Sequence, residues 1–356
     1  MAYILPHIME MPSYQSGKQP ADQRAIKLNL NENPFPPSKR VFEALQSIQV
    51  DSLKRYPDQL CQELCEEIAK QNFVKAEQVF CGNGSSEIIS LLFTVFIGAQ
   101  GRIALPDPTF SLYENVAARF QVECVKIPTR EDYAIDLNSL IKTNADAIIL
   151  VNPNAPTGLL LPSSDIEYLV CHYSGLIVID EAYIDFADPK NSAVPLIHQY
   201  DNVIVLRTFS KVFSLSGIRI GYCFSNPQFI AALEKSKNLY HVNTISQQLA
   251  LAALKDKEYL NTTINRIKQI RDRFSARLKE LGFTVLPSET NFILCTPPSH
   301  VNKTAKELYE AFIQRNIYVR YFDSPRLKDK LRISVGTEEE MEILFNVVCS
   351  IIKEGK

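Results

Sequence analysis

Two charged side chains follow apolar runs of the sequence and are the first candidates for chemistry. Asp180 comes directly after Leu-Ile-Val-Ile, and Lys211 comes shortly after Val-Ile-Val-Leu-Arg. Because a charge that ends a buried strand needs a partner or a ligand, the two could form a structural salt bridge. A lysine amine with a lowered pKa could instead attack a carbonyl and form a Schiff base. The two residues alone leave both interpretations open.

A turn with two glycines supplies a candidate anion site. The sequence Gly-Asn-Gly-Ser-Ser-Glu, from Gly82 to Glu87, follows an apolar run and opens a helical pattern. Glycine permits a tight turn, and the free N–H groups of a first helical turn attract an anion such as phosphate. A dinucleotide-binding motif would need a third glycine, and the serines could simply cap the helix.

An arginine and a rigid turn complete the set. Arg219 stands after Lys211 in Ser-Gly-Ile-Arg-Ile-Gly, where it could reach the same phosphate, and Asn152–Gly158 forms a proline-rich turn. A phosphate cradle, a carboxylate for a ring nitrogen, a Schiff-base lysine and a phosphate-binding arginine together fit one cofactor, pyridoxal phosphate. This conjunction is far more specific than any one of its members.

Short β-branched runs alternate with helical patterns between residues 77 and 225. Runs that are apolar at consecutive positions indicate strands covered by helices on both faces. The alternation predicts an α/β domain with a mainly parallel sheet, in which ligands bind at the carboxyl ends of the strands. The predicted strands are 78–82, 102–106, 147–152, 176–180 and 203–207, and the predicted helices include 85–97, 110–120 and 164–171.

The C-terminal part of the sequence predicts a smaller α+β unit. A long helix is predicted from Ile264 to Leu281, because apolar residues recur at three- and four-residue steps until Gly282. The first 37 residues, rich in Pro, Asn and Gln, are predicted to form an extended arm rather than a packed element. The elements predicted after the long helix are strands 283–286, 291–295, 317–321 and 331–335 and helices 303–314 and 338–352.

Composition excludes several classes of protein. The chain has 356 residues, 38 Lys and Arg against 40 Asp and Glu, and 46% hydrophobic residues. Its net charge of -2 gives little support to nucleic-acid binding. Its apolar runs are shorter than the ~20 residues of a membrane-spanning helix. No signal peptide is evident, and the eight cysteines show no disulfide or zinc pattern. We therefore expect a cytoplasmic protein that binds no metal, nucleic acid or membrane.

Several motifs make the sequence resemble the fold type I pyridoxal-phosphate aminotransferases over nearly its whole length. They are Asp180–Tyr183, Ala155–Gly158 and Arg207–Gly221. Within that group the sequence resembles the histidinol-phosphate aminotransferases, which transfer an amino group between histidinol phosphate and 2-oxoglutarate in histidine biosynthesis. The motifs that carry this narrower resemblance are Pro12–Lys18, Leu28–Pro34, Arg55–Pro57, Ser288–Phe292 and Leu331–Thr337.

The resemblance implies a fold and a division of the chain. The fold is α/β and aspartate-aminotransferase-like: a large domain with a mainly parallel, mixed seven-stranded sheet flanked by helices, plus a smaller α+β domain. Residues 1–37 would form an N-terminal arm that joins the small domain and the dimer contact. Residues 38–255 would form the large pyridoxal-phosphate-binding domain, and residues 256–356 the small one.

The resemblance also implies roles for the matching residues. Lys211 would carry the cofactor as a Schiff base and shuttle the substrate proton, Asp180 would pair with the pyridine nitrogen, and Tyr183 with the phenolic oxygen. Phe110 would stack on the cofactor ring. The residues implied to hold the cofactor phosphate are Gly84, Ser85, Ser86, Ser210, Arg219 and, from the second subunit of a homodimer, Tyr56. Those implied to bind the anionic end of the substrate are Tyr14, Arg320 and Arg332.

One position departs from the family's pattern. The family often has Asn before Pro-Thr-Gly, in contact with the phenolic oxygen, whereas this chain has Ala155. Asn154 or Asn152 could supply that contact, or Tyr183 could act alone. An aromatic amino-acid aminotransferase or a threonine-phosphate decarboxylase would use the same core residues. A pyridoxal-phosphate-binding regulator would need a fused DNA-binding module, for which the N-terminal arm is too short.

Overall fold

The computed structural model describes residues 3–14, 17–22 and 24–354, so Gln15 and Ser16 of the Pro12–Lys18 motif lie outside it. Its strands are β1 (Ile26–Lys27), β2 (Val79–Gly82), β3 (Arg102–Asp107), β4 (Glu123–Pro128), β5 (Ala147–Val151), β6 (Leu176–Asp180), β7 (Val203–Thr208), β8 (Gly221–Phe224), β9 (Thr284–Val285), β10 (Phe292–Thr296), β11 (Ile317–Tyr318), β12 (Arg320–Tyr321) and β13 (Leu331–Ser334). Its α-helices are α1 (Pro6–Glu10), α2 (Lys39–Ser47), α3 (Gln62–Asn72), α4 (Ser85–Leu92), α5 (Leu112–Phe120), α6 (Leu137–Ile141), α7 (Ser163–His172), α8 (Pro227–Ser236), α9 (Thr244–Leu254), α10 (Lys257–Glu280), α11 (Ala305–Gln314) and α12 (Glu338–Glu354).

The seven-stranded sheet confirms the predicted α/β architecture. Its strand order is β2-β8-β7-β6-β5-β3-β4, and β8 runs antiparallel to both of its neighbours while the other pairs are parallel. Strands β2, β3, β5, β6 and β7 coincide with the five predicted runs, and β5 is buried along its whole length. The predictions lack β4, a half-exposed edge strand, and the short β8.

Two helices show how local sequence sets the element boundaries. The predicted helix 85–97 is divided, because α4 ends at Leu92 and a π-helical turn covers Phe93–Ile97. The long helix α10 begins after Asp256, whose side chain accepts a hydrogen bond from the Tyr259 N–H. It ends as predicted, because Gly282 adopts a φ of 88°, which favours glycine.

The second sheet is antiparallel and has the order β12-β13-β10-β9. Helices α10 and α12 pack against each other beside it. Its strands follow α10, whereas the large sheet lies between residues 79 and 224. The division of the chain after residues 37 and 255 stays a prediction. Within the described ranges, the longer helices all lack the continuous apolar stretch that crossing a bilayer requires.

The N-terminal segment corrects one prediction. Strand β1 pairs in parallel with β11, and Leu28 is 1% exposed. The Leu28 N–H bonds to the Tyr318 carbonyl, and the Ser334 N–H bonds to the Leu28 carbonyl. The expectation of an unpacked arm over residues 1–37 is therefore wrong for residues 26–33. Their backbone groups find partners in β11, which forms a separate two-stranded sheet with β1, and in β13 of the four-stranded sheet.

Candidate active site

A cavity of about 330 Å³ lies at the carboxyl edge of the large sheet. Val151, Asp180 and Thr208, the last residues of β5, β6 and β7, line it. The N-terminal segment and the small sheet cover it from the other side. Parallel strands of α/β sheets bind ligands at this edge. The predicted site residues that line the cavity are Tyr14, Ser85, Ser86, Phe110, Asp180, Tyr183, Ser210, Lys211, Arg219, Arg320 and Arg332.

Asp180 is buried in the cavity wall, and none of the described basic side chains forms a salt bridge with it. Its Oδ2 accepts a hydrogen bond from the Tyr113 hydroxyl at 2.8 Å, and its Oδ1 accepts from the Ala182 N–H at 3.1 Å. Burial raises the pKa of this carboxyl, although both hydrogen bonds and the charge of Lys211 act in the opposite direction. The two hydrogen bonds and the Lys211 charge do not offset the cost of burying this carboxylate. The site therefore suits a ligand that carries a positive charge, such as a protonated ring nitrogen.

Lys211 does not pair with Asp180. Its Nζ donates to the Leu30 carbonyl at 3.3 Å and lies 5.5 Å from the centroid of the Tyr183 ring. The Asn33 amide holds the Lys211 carbonyl at 3.2 Å. The structural salt bridge that the sequence left open is therefore not formed in the described part of the chain. A single long hydrogen bond leaves the amine available to a carbonyl compound in the cavity.

The residues of the predicted anion cradle lie together at the cavity. Gly84 has a φ of 78°, and α4 starts at the next residue, Ser85, so the first N–H groups of the helix face the cavity. The Arg219 Nη1 donates to the Ser210 Oγ at 3.3 Å, and its Nη2 would be 2.6 Å from a Cβ on Gly84. A Cβ on Gly221 would collide with the Ser85 nitrogen. Glycine thus lets the backbone and a guanidinium converge on a small anion.

The groups in the cavity fit pyridoxal phosphate. The cradle offers N–H groups and a guanidinium to a phosphate, and Asp180 offers a buried carboxylate to a ring nitrogen. Lys211 offers an amine to an aldehyde. The Phe110 ring lines the same cavity and meets the Tyr113 ring edge-on, with 6.2 Å between their centroids. The chain therefore supplies a partner for each functional group of that cofactor.

Asn154 is not brought to the cavity, which corrects the expectation for this residue. Its amide nitrogen donates to the Pro108 carbonyl at 3.1 Å and to the Thr157 hydroxyl at 2.9 Å. Its amide oxygen accepts from the Thr109 hydroxyl at 2.7 Å. Both donors are therefore used to hold the loops before Phe110 and Gly158, and none remains for a cofactor oxygen.

Asn152 and Tyr183, the other two candidates to contact the phenolic oxygen, differ from each other in their position relative to the cavity. Asn152 is also engaged, because its amide oxygen and nitrogen both bond to the Leu161 backbone. Ala155 lines the cavity with a methyl group. The Tyr183 hydroxyl faces the cavity and accepts a hydrogen bond from the Asn31 amide at 2.9 Å. Of this set, Tyr183 is thus the member that both lines the cavity and has a proton to donate.

Arg332 presents a buried guanidinium to the cavity. Its Nη2 donates to the Asn29 carbonyl at 2.8 Å, while its Nε is buried with no hydrogen-bond partner among the described residues. Burial lowers the pKa of this guanidinium to about 10, and Arg320 pairs with it across the β12–β13 ladder. Tyr14 lies beside both arginines, and burial raises its pKa against their charges. A buried donor without an acceptor points to an anionic ligand.

Tyr56 does not reach the cavity of its own chain. Its side chain is 80% exposed and stacks on Tyr240, with 4.3 Å between ring centroids and 13° between ring planes. Any contact with a cofactor phosphate would have to be made in a second copy of the chain. The role implied for Tyr56 therefore stays a prediction.

Some residues that contact the predicted site residues lie outside the predicted set. Tyr113 bonds to Asp180, and Asn31 bonds to Tyr183. Tyr113 follows Phe110 by three positions, so helical spacing could have indicated that both face the sheet. Asn31 lies in the Leu28–Pro34 motif, but the sequence contains no signal that it contacts a residue far along the chain.

Comparison with known proteins shows what the chain is similar to. The family model described as aminotransferase class I and II matches residues 23–348. A histidinol-phosphate aminotransferase of Brachyspira hyodysenteriae is 40% identical, with 96% of each chain covered. Histidinol-phosphate aminotransferase 1 of Nostoc sp. is 37% identical, with 99% of this chain and 98% of the relative covered. The crystal structure of histidinol-phosphate aminotransferase from Sinorhizobium meliloti, in complex with pyridoxal-5'-phosphate, has a TM-score of 0.91 at 24% identity and covers 99% of this chain and 98% of its own. This likeness confirms the predicted fold.

Proposed function

The chain belongs to the class I and II aminotransferases, and on that premise we propose that it transfers an amino group between histidinol phosphate and 2-oxoglutarate. The products are imidazole acetol phosphate and glutamate. Two relatives that span nearly the whole chain carry the name histidinol-phosphate aminotransferase. The observation that carries the chemistry is that the Lys211 amine and the partnerless, buried Nε of Arg332 belong to one cavity.

Lys211 and Asp180 perform the central tasks of the reaction. Pyridoxal phosphate, when bound, supplies an electron sink for the electrons left by a departing α-proton. Asp180 keeps the ring nitrogen protonated, because a buried carboxylate is stabilised by a cation in contact with it. Lys211 holds the cofactor between turnovers and then takes and returns the α-proton of the substrate. Proton transfer by such a positioned amine contributes about 10²–10⁴ to the rate.

Arg332 and Arg320 select and orient the substrates. A guanidinium fork binds phosphate and carboxylate equally well in geometry, so one pocket serves histidinol phosphate in one half-reaction and 2-oxoglutarate in the other. The Asn29 carbonyl fixes one Nη of Arg332 and leaves its Nε for the incoming anion. Binding energy from this remote anion holds the substrate amine in position for attack.

A panel of amino donors tests the substrate assignment. Purified holoenzyme is given histidinol phosphate, phenylalanine, tyrosine or threonine phosphate with 2-oxoglutarate, and glutamate and carbon dioxide are both measured. We expect glutamate formation with the largest kcat/KM for histidinol phosphate and no carbon dioxide from threonine phosphate. A larger kcat/KM for an aromatic amino acid would contradict the substrate, and carbon dioxide release would contradict the reaction type.

We further propose that the chain forms a homodimer with shared active sites. Val50 is 82% exposed, and Leu53, Tyr56 and Leu60 of the same segment are also exposed. Such apolar exposure around the Tyr56–Tyr240 stack is typical of an interface. The dimer would bring Tyr56 of one chain to the cofactor phosphate of the other.

Hybrid dimers test this sharing. Lys211→Ala and Tyr56→Ala chains are each purified, then mixed under conditions that exchange subunits. Each parent has both sites damaged, whereas the mixed dimer would have one site with neither substitution. We expect activity to rise on mixing to a substantial fraction of the wild-type value. Mixtures that exchange subunits but stay inactive would show that each site is built from a single chain.

We also propose that the enzyme acts in the cytoplasm. Its eight cysteines are all free, and buried ones such as Cys61 and Cys223 have raised thiol pKa values because of burial, which makes them unreactive. Free packed thiols suit a reducing compartment. Cell fractionation with immunodetection would test this location, and recovery outside the cytoplasmic fraction would contradict it.

A further inference from the structure

Asn31 occupies a fixed place between the two sheets. It is 2% exposed and has a φ of 54°, a conformation that asparagine tolerates better than most residues. Its backbone N–H donates to the Ser334 Oγ at 2.8 Å, and its carbonyl accepts from the Asn291 amide at 2.9 Å. The backbone of Asn31 is therefore anchored on the small sheet while its side chain reaches the large one.

The hydrogen bonds determine which way the Asn31 amide points. The Ser334 oxygen already accepts the Asn31 N–H, so its own proton is free to donate, and the Asn31 Oδ1 lies 3.0 Å away. The amide oxygen thus faces Ser334, and the Nδ2 faces the Tyr183 hydroxyl at 2.9 Å. Because Nδ2 carries only donors, the Tyr183 oxygen must accept.

This arrangement leaves one proton on Tyr183 without an acceptor in the described chain. A phenol hydroxyl has a single hydrogen, and its oxygen is occupied by Asn31 on one side. The Tyr183 ring is held edge-on against Phe292, with 5.2 Å between centroids, and Tyr183 lines the cavity near Lys211. Its proton is therefore directed into the cavity.

We propose that Asn31 is a positioning residue that keeps the Tyr183 proton directed at the phenolic oxygen of the cofactor, with Ser334 setting the orientation of the amide. The proposal rests on the proposed function, because it takes pyridoxal phosphate to be the molecule attached to Lys211. It also accounts for Ala155, because a chain without an amide at that position needs Tyr183 to be held as a donor.

The consequence is a measurable pH dependence of the cofactor's absorbance. A donor to the phenolic oxygen stabilises its negative charge, so the neighbouring lysine–cofactor nitrogen loses its proton at a lower pH. The groups that act on this nitrogen include Tyr183, Asp180, the cradle arginine Arg219 and the substrate arginines Arg320 and Arg332. Of these groups, only Tyr183 loses a hydrogen bond when the Asn31 side chain is removed.

A double-mutant cycle on the holoenzyme tests the proposal. Asn31→Gly removes the amide and suits a positive φ, and Tyr183→Phe removes the proton. The pH midpoint of the cofactor's visible absorbance is measured without substrate. We expect Tyr183→Phe to raise the midpoint most and Asn31→Gly to raise it by roughly 0.5–1 pH unit, since one hydrogen bond is at stake. In the Tyr183→Phe background, Asn31→Gly should add nothing.

Two further variants keep the test decisive. Ser334→Ala frees the Asn31 amide to rotate and should raise the midpoint by less than Asn31→Gly does. Asn316→Gly is the matched control, because Asn316 also has a positive φ, of 60°, while its amide donates to Asp22 and lies outside the cavity, so the midpoint should not move. An equal shift from Asn31→Gly in both backgrounds, or no shift in either, would overturn the proposal. Absence of the visible absorbance from the parent enzyme would instead contradict the proposed function.

Discussion

The end of β6 carries two neighbouring carboxylates that the fold treats in opposite ways. Glu181 is fully buried and its Oε2 lies 2.9 Å from the Arg207 Nη2, in an ion pair that the Ser192 hydroxyl also joins. Asp180 is buried as well, but it receives hydrogen bonds from Tyr113 and from a backbone N–H, and it forms no salt bridge within the described ranges. The charge of Glu181 is neutralised by an arginine of the chain itself, whereas Asp180 is available to a positively charged ligand.

The difference separates a structural charge from a functional one. Removing one partner of a buried ion pair leaves an uncompensated buried charge, which is strongly destabilising. Both members of the Glu181–Arg207 pair are therefore needed for stability of the fold. A buried carboxylate without a cation instead destabilises the protein alone and is stabilised when a positive ligand binds. Variants in the two regions should therefore fail in different assays.

Substitution of the lysine should have the largest effect. Lys211→Arg keeps a positive charge but cannot form the lysine–cofactor linkage or carry the α-proton, so turnover should fall by about 10⁴ or more. Steady-state kinetics with histidinol phosphate measure the loss. The matched control is Lys190→Arg, an exposed lysine paired with Asp188, which should keep full activity. A Lys211→Arg enzyme within tenfold of the parent would remove Lys211 from the centre of the reaction.

Substitution within the buried ion pair should act on stability. Glu181→Gln leaves the Arg207 charge buried without its counterion and should lower the free energy of unfolding by about 3–5 kcal/mol. Urea denaturation measures this change. Glu342→Gln, which removes an exposed partner of Arg277, should leave the urea midpoint almost unchanged, because solvent screens an exposed pair. If the two substitutions cost the same, the distinction between the buried pair and the surface pair is wrong.

Substitution of Asp180 should show the opposite pattern. The Asp180→Asn amide can accept from the Ala182 N–H and donate to the Tyr113 hydroxyl oxygen, so the unfolding free energy of the apo-protein should change by less than about 1 kcal/mol. The amide cannot hold the ring nitrogen protonated, so kcat should fall by about 10²–10³. Denaturation and kinetics on the same preparation measure both. A stability loss comparable to that of Glu181→Gln, with kcat preserved, would reverse the roles assigned to the two carboxylates.

Substitution of the substrate arginine should have a moderate effect that is confined to binding. Arg332→Gln removes a charged donor from the anion pocket, worth about 1.5–3 kcal/mol, so KM for histidinol phosphate should rise by roughly 10–100-fold. The visible absorbance of the bound cofactor should not change. Arg266→Gln, in an exposed pair with Glu338, serves as the control. A loss of cofactor absorbance in Arg332→Gln would place this arginine in the cofactor site.

The smallest effect concerns pH. Burial raises the pKa of Asp180 in the folded protein, so the folded state holds its proton at pH values where the unfolded state has lost it. The stabilisation from this group is complete below the ordinary carboxyl pKa of about 4 and is lost as pH rises through the raised value. The stability of the apo-protein relative to Asp180→Asn should therefore fall from pH 4 upward. Denaturation across pH 4 to 8 measures it, and a constant difference would contradict the shift.

The sequence predicts the residues that lie at strand ends, for a physical reason. A polar residue after an apolar run is visible in the sequence, and parallel strands place such residues at one edge. Asp180, Lys211 and the Gly84–Ser85 turn are predicted in this way, whereas Arg219 is predicted from its place after Lys211 in Ser-Gly-Ile-Arg-Ile-Gly. The Glu181–Arg207 pair was not predicted, because nothing local distinguishes a carboxylate that turns toward an arginine from its neighbour that turns toward the cavity.

Side chains that are held by residues far away in the sequence could not be predicted in this way. Asn31 reaches Tyr183 and Ser334 only because β1 pairs with β11, a two-residue ladder too short to produce a periodic pattern. Asn154 appeared available from its place in the turn, but the hydroxyls and carbonyl around it occupy its amide. Local sequence determines the backbone position of a residue, whereas the polar groups around it determine which hydrogen bonds its side chain makes.

The attachment of pyridoxal phosphate to Lys211 is the claim on which the other assignments depend. Reduction of the holoenzyme with borohydride, followed by proteolysis and mass spectrometry, locates the lysine that carries the cofactor. We expect the reduced adduct on the peptide that contains Lys211 and on no other lysine. An adduct at a different lysine, or a yellow enzyme that yields no adduct on the chain, would contradict the account.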